Sequence, residues 1–424
     1  MRTLLLAGSI AISLLPAARA AEGVTVSARR ALDVVTGRVM EEPLLRIEKG
    51  TIVEVRRRNP GEAVDHDLGD VTLLPGLIDC HTHLIGGEEL TPDQSLRETS
   101  ARAAIEGVAN ARKTIEAGFT TVRDLGARDF ADVALRDAIA AGRVVGPRML
   151  VAVKSLSGTG GHGDINDLPF DVKVHRYSAI ADGPDEIWRA VRENVKYGAD
   201  WIKVLATGGV MSAGTDPRQA DYREDELRAV VEAAASKGRD VAAHAHGAEG
   251  IRRAARAGVR SIEHASMLDD AALAAVREAG TFLVPNPITN ALMLERGAAG
   301  GFQPYQLEKA RLVYGQKMES LRRAVQAGVA VAYGTDSGVQ AHGLNGRQLA
   351  FYVEAGMTPL QALQSATVVA ARLLRQEKRL GRLEPGFAGD VVAVGGDPLR
   401  DVRVVERPTF VMKDGVPVVD SRGR

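Results

Sequence analysis

Along the middle of the chain one rhythm repeats: an amphipathic stretch, a glycine, then a short apolar run. It recurs in ARKTIEAGFTTVRD, VKYGADWIKVLA, ASKGRDVAAHAH, ARAGVRSIEHA, VREAGTFLVPN and AVQAGVAVAYGTD. Helices alternating with continuous apolar strands need a parallel sheet that is covered on both faces or closed on itself. Each glycine suits the position just past a helix, where a left-handed residue stops it. Adding VTLLPGLIDCHTH and PRMLVAV brings the strands to eight over residues 72–336. That pattern predicts an α/β fold of the (β/α)8 TIM-barrel type. An open doubly wound sheet is the alternative topology.

The flanks follow a different pattern. VTVSARRALDVVTG and LLRIEKGTIVEVRR near the start, and DVVAVGG and VVERPTFVMKDGVPVVD near the end, alternate as short strands. Lys49-Gly50 and Asp414-Gly415 are expected hairpin turns. Residues 21–72 and 381–424 are thus expected to form one small composite β-sandwich domain, with residues 73–380 as the barrel. Residues 1–20 read as a signal peptide: Arg2, an apolar stretch from Leu4 to Leu15, and Ala18-Arg19-Ala20 as the cleavage site. The expectation is an exported, periplasmic or secreted, protein that begins near Ala21. Cys80 is the only cysteine, so export brings no internal disulfide.

Lys plus Arg and Asp plus Glu balance at 54 each. A neutral, dispersed charge offers no footprint for nucleic acid or an anionic membrane, so a small-molecule substrate is expected.

Strand ends carry the chemistry. Lys203 lies five residues after Gly198, His244 six after Gly238, His264 six after Gly258 and Asp336 eight after Gly328. A strand advances about 3.3 Å per residue, which carries each of these to the C-terminal end of its strand. His81 and His83 end the first strand, and two residues apart they project from one side. In a parallel barrel these ends share the face where active sites form. The cluster fits a metal site, because imidazole is the commonest zinc ligand.

Lys203 sits in the apolar run WIKVL, where an ammonium is costly. A carboxylate partner at the strand end is one reading. The other is a desolvated, neutral amine that adds carbon dioxide to give a carbamate, an anion able to bridge two cations.

LPGLIDCHTHL, WIKVLATGG, VAAHAHG, SIEHAS and YGTDSG resemble the amidohydrolase superfamily. More narrowly they resemble its imidazolonepropionase-like branch of Xaa-Pro dipeptidases, N-acyl amino acid hydrolases and ochratoxin amidohydrolases. LEPGFAGDVVAVGGDPL is similar to that family's returning β segment. The resemblance implies two divalent metal ions, with zinc as the default. His81, His83 and Asp336 would hold one, His244 and His264 the other, and carboxylated Lys203 would bridge them. Either His244 or His246 could be the fifth-strand ligand; the resemblance favours His244, which leaves His246 to reach the substrate or support the ligands from behind. A homo-oligomer is also implied. True imidazolonepropionases resemble the chain less, having one metal and no bridging lysine.

Such a pair of metals lowers the pKa of a shared water. Asp336 is the expected general base, with His162 or His246 holding the oxyanion. His162 lies in the glycine-rich stretch SGTGGHGD after the third strand. Arg218 and Tyr222, in the insertion after the fourth strand, are candidates for binding a substrate carboxylate. Arg123 is a further candidate, although a salt bridge is its simpler role. The expected reaction is hydrolysis of a dipeptide-like or N-acyl amino acid substrate with a free carboxylate. The alternatives are a mononuclear cyclic amidohydrolase or deaminase, and a non-catalytic exported metal or solute binder.

Overall fold

A computed structural model describes residues 23–87, 92–169, 171, 172 and 178–421. The expected signal peptide lies outside these residues. The glycines of the repeating rhythm, Gly118, Gly198, Gly238, Gly258, Gly280 and Gly328, all have φ between 64° and 106°. Each ends a helix and turns the chain into a strand.

Those strands are Leu77–Thr82, Phe119–Asp124, Arg148–Val151, Trp201–Leu205, Asp240–Ala245, Ser261–His264 and Phe282–Val284, with segment 330–336 as the eighth. Neighbours pair in parallel. The third strand breaks at Val153, whose φ is 64°, and resumes as Ser155–Ser157, where Leu156 meets Val204 of the fourth. Leu283 bridges Val331, and Cys80 N and Asp336 N donate to the carbonyls of Tyr333 and His81. These last bonds join the eighth strand to the first and close the ring.

Below the strand tips the interior is filled by Ile78, Trp201, Ala242 and Phe282 packed against Ala370 and Leu373. A barrel interior of this kind is a core, not a pore. Two helices, Pro287–Arg296 and Pro304–Gln326, intervene between the seventh and eighth strands. Among the described residues no helix is long and apolar enough to cross a membrane.

The flanks assemble as a β-sandwich. Val391–Gly395 pairs antiparallel with Val71–Pro75 in a six-stranded sheet, and a four-stranded sheet holds Val24–Ser27 beside Pro43–Glu48. Val26, Leu45, Ile52, Leu73, Val391 and Phe410 fill the space between. Both expected hairpin turns form. Lys49 and Gly50 have φ of 48° and 78°, and Asp414 and Gly415 of 48° and 76°. Two successive positive values are what a type I′ turn requires. Asp390 fastens this layer to the barrel, accepting from Thr120 Oγ1 at 2.9 Å, Arg148 at 3.0 Å and Asp414 N at 2.9 Å.

Candidate active site

The strand ends bring His81, His83, Lys203, His244, His264 and Asp336 to the wall of one cavity of about 390 Å³. Its donors fall into two groups. In the first, His81 Nε2 and His83 Nε2 each lie 3.3 Å from Asp336 Oδ1. In the second, His244, His246 and His264 offer nitrogens within 4.8 Å of one another. The fifth strand thus contributes both of its histidines to that group, one more than expected. Lys203 Nζ points inward, 3.5 Å from His81 Nε2. His264 and Asp336 have φ of 70° and 60°. A non-glycine residue reaches that region only where its surroundings impose it, as functional sites do.

Each imidazole is anchored through one nitrogen, leaving the other for its group. His83 Nδ1 is held by the Gly126 carbonyl, His264 Nδ1 by Asn286 Oδ1 and His246 Nδ1 by Ser266 Oγ. His244 is reversed, with Nε2 on the Gly208 carbonyl. His81 Nδ1 lies 3.0 Å from Glu263 Oε2, and neither atom has another partner. Such partners fix the ring and tautomer of a metal-binding histidine.

Burial drives His81, His244, His246 and His264 well below the ordinary imidazole value. They stay neutral, with lone pairs available for a cation. Burial also pushes Lys203 down to about 8. Burial alone would raise Asp336, but the hydrogen bond from His83 and the neighbouring Lys203 hold it at about 2. A buried set of neutral imidazoles around an ionised carboxylate fits divalent metal.

His162 also lines the cavity, its Nδ1 2.8 Å from Ser212 Oγ and its ring 4.5 Å from that of His244. Burial lowers it to about 4. His162, Gly163 and Met211 are shared with an outer recess of about 310 Å³.

Two expected substrate contacts are corrected. Tyr222 is buried in the helical layer, its hydroxyl donating to the Ala181 carbonyl at 2.8 Å. Arg218 is exposed and doubly bonded to Asp216. Neither lines the cavity. Arg218 is consumed by a partner two residues away, and Tyr222 by the Ala181 carbonyl, 41 residues earlier. Arg123 takes its simpler role, bonded to Glu263 Oε1 at 2.8 Å beneath the site.

Three residues were missed: Glu263, Asn286 and Lys317. Lys317 had a legible signal. Ala310, Val313, Lys317, Leu321 and Ala324 are all buried at helical spacing, so the lysine occupies a core position of an amphipathic stripe.

The amidohydrolase family profile matches residues 72–418. The chain belongs to that family. As an amidohydrolase it is a metal-dependent hydrolase of amide bonds, and the two donor groups are its candidate metal ligands. It is 35% identical over 365 residues to an ochratoxinase from Aspergillus niger, covering 81% of this chain and 75% of that one. An imidazolonepropionase from Ralstonia nicotianae is 28% identical over 384 residues, covering 83% and 86%. Among solved structures, a Xaa-Pro dipeptidase with methionine bound in its active site superimposes with a TM-score of 0.88 at 35% identity. That match covers 93% of this chain and 99% of the dipeptidase.

Proposed function

We propose that this amidohydrolase is binuclear and cleaves the amide of an N-acyl amino acid or dipeptide-like substrate with a free carboxylate. We further propose export after removal of residues 1–20, and self-association. The observation that carries the two-metal reading is Lys203. It is a buried amine 3.5 Å from His81, and its charge also weighs on His244 and His246 in the other group. An ammonium there would repel cations. A neutral amine adds carbon dioxide, forming an N–C bond and releasing a proton, and the resulting carbamate attracts them.

In this reading His81, His83 and Asp336 hold one ion, His244 and His264 the other, and carboxylated Lys203 joins them. Zinc suits these nitrogen and oxygen donors. When bound, the two ions lower the pKa of a shared water and polarise the scissile carbonyl. Asp336 Oδ1 faces His81 and His83, which leaves Oδ2 to take a proton and return it to the leaving amine. His162, neutral and anchored at Nδ1, turns Nε2 toward the cavity as a donor to the developing oxyanion. His246 is assigned to the substrate. Leu205, Val210, Met211 and Met293 give the cavity an apolar wall for a side chain. Similarity to an ochratoxinase and to a Xaa-Pro dipeptidase, each at 35% identity, supports this substrate class.

Likeness to imidazolonepropionase favours a second reading, a mononuclear cyclic amidohydrolase. Metal content per chain separates the two, measured with and without bicarbonate for the parent and Lys203→Ala. Two ions per chain are expected for the parent, with both metal and turnover lost in the variant. A variant that keeps two ions and full turnover removes the bridging role. One ion per active chain selects the mononuclear reading, and no turnover on a panel of acyl amino acids and dipeptides leaves a binder.

A further inference from the structure

The cavity has a buried lysine that the proposed chemistry does not use. Lys317 is 1% exposed and lines the cavity from the helix Pro304–Gln326. Its Nζ bonds Asn290 Oδ1 at 2.6 Å, Asn286 Oδ1 at 2.8 Å and the Asn286 carbonyl at 3.4 Å. All three oxygens are neutral. Among the described residues no carboxylate lies within ion-pair distance of it. A buried charge is normally paired, because desolvation without a counter-ion is costly. Beside it, Asn286 spends its oxygen on both His264 and Lys317, and its buried Nδ2 has no acceptor.

We propose that Lys317, braced by Asn286 and Asn290, is the anion-binding subsite of this cavity and receives the carboxylate of the substrate. The inference rests on the amide-hydrolase reading above and specifies its substrate end. Asn286 links Lys317 to His264, so the carboxylate lies on the side of the His244, His246 and His264 group. Asn290 and Met293 stand on one helix, Pro287–Arg296, and both line the cavity. The subsite therefore adjoins an apolar wall, and the amino acid half carries its carboxylate next to an apolar side chain.

The test compares an N-acyl-phenylalanine with the N-acyl-phenethylamine that lacks only the carboxylate. The parent is expected to favour the acid by roughly 10⁴-fold in kcat/KM, the scale at which a built polar subsite rejects a ligand lacking the group. In Lys317→Met that preference falls to near unity through KM, the acid losing far more than the phenethylamide measured on the same variant. Asn290→Asp, which gives Lys317 its own counter-ion, loses the preference in the same way. Lys317→Arg keeps part of it.

An unchanged preference in Lys317→Met, or an equal loss on both substrates, overturns the proposal and leaves Lys317 as a brace for Asn286. Calorimetric binding of N-acyl-phenylalanine to parent and variant reads the subsite without turnover. A parent that binds the acid through Lys317 yet cleaves nothing sinks the hydrolase reading and keeps the subsite. Equal binding by both proteins sinks the subsite.

Discussion

Glu263 shows how a residue that touches no substrate governs this site. It sits between Arg123 and the Nδ1 of His81, and so presents His81 Nε2 to the first donor group. Glu263→Gln is expected to weaken metal binding tenfold to a hundredfold, the usual effect of removing such a partner. Competition with a chelator measures it, and parent-like affinity would mean His81 holds its orientation unaided. Lys317 makes a different prediction. Burial lowers it from the ordinary lysine value of 10.5 to about 7. A lysine depressed in the folded state destabilises that state most where both states are protonated, below pH 7, and the penalty fades as pH rises toward 10. Lys317→Met should therefore stabilise the fold more at pH 6 than at pH 9, by a difference of about 2–3 kcal/mol read from thermal melts at the two pH values. A shift independent of pH contradicts the buried-charge assignment. At this scale the convergence of these side chains on one cavity was legible because histidine, lysine and aspartate at the ends of apolar strands have no structural reason to recur. Glu263 and Asn286 were not, since their partners lie on other strands and helices.

Elements are linked here by glycines of two kinds, and substitution separates them. Gly280 ends a helix at φ 64° with open space where a Cβ would stand. Gly280→Ala is expected to cost about 1–2 kcal/mol, the left-handed penalty for a residue with a side chain, and to leave turnover intact. Gly334 has no such strain. A Cβ there would meet Val284 Cγ1 at 2.3 Å and His81 Cβ at 2.9 Å, where the seventh, eighth and first strands converge. Gly334→Ala is expected to displace His81 and to lower metal content as well as stability. Metal analysis beside thermal melting distinguishes the two variants, and parent-like metal content in Gly334→Ala would count against the close approach. The helix-glycine-strand order was readable because a left-handed stop marks each junction locally. The kink at Val153 was not, because Asp132, 21 residues earlier, accepts its N–H. Nor was the loop holding Arg218, whose partner Asp216 is two residues away and satisfies it on the spot.

At the scale of the molecule, the sandwich is fastened to the barrel through Asp390. Breaking a largely buried pair leaves a charge without its counterpart, so Asp390→Ala should destabilise the protein by about 3–5 kcal/mol. Thermal melting measures the loss, and metal content should hold, because the site lies at the opposite end of the strands. A fall in metal content would show that the two ends communicate. The joining of the flanks was legible from their matching strand character. Their anchoring was not, since Thr120, Arg148 and Asp390 meet only after the chain has come full circle. That circuit is completed by the N–H of Asp336 on the carbonyl of His81, and the same two residues belong to one candidate donor group. The metal seat and the seam of the ring are thus a single object. A growing chain owns no such seat until its eighth strand has emerged and docked, so an ion held there would be captured only after closure. It would then act as a clasp on the junction between the beginning and the end of the barrel.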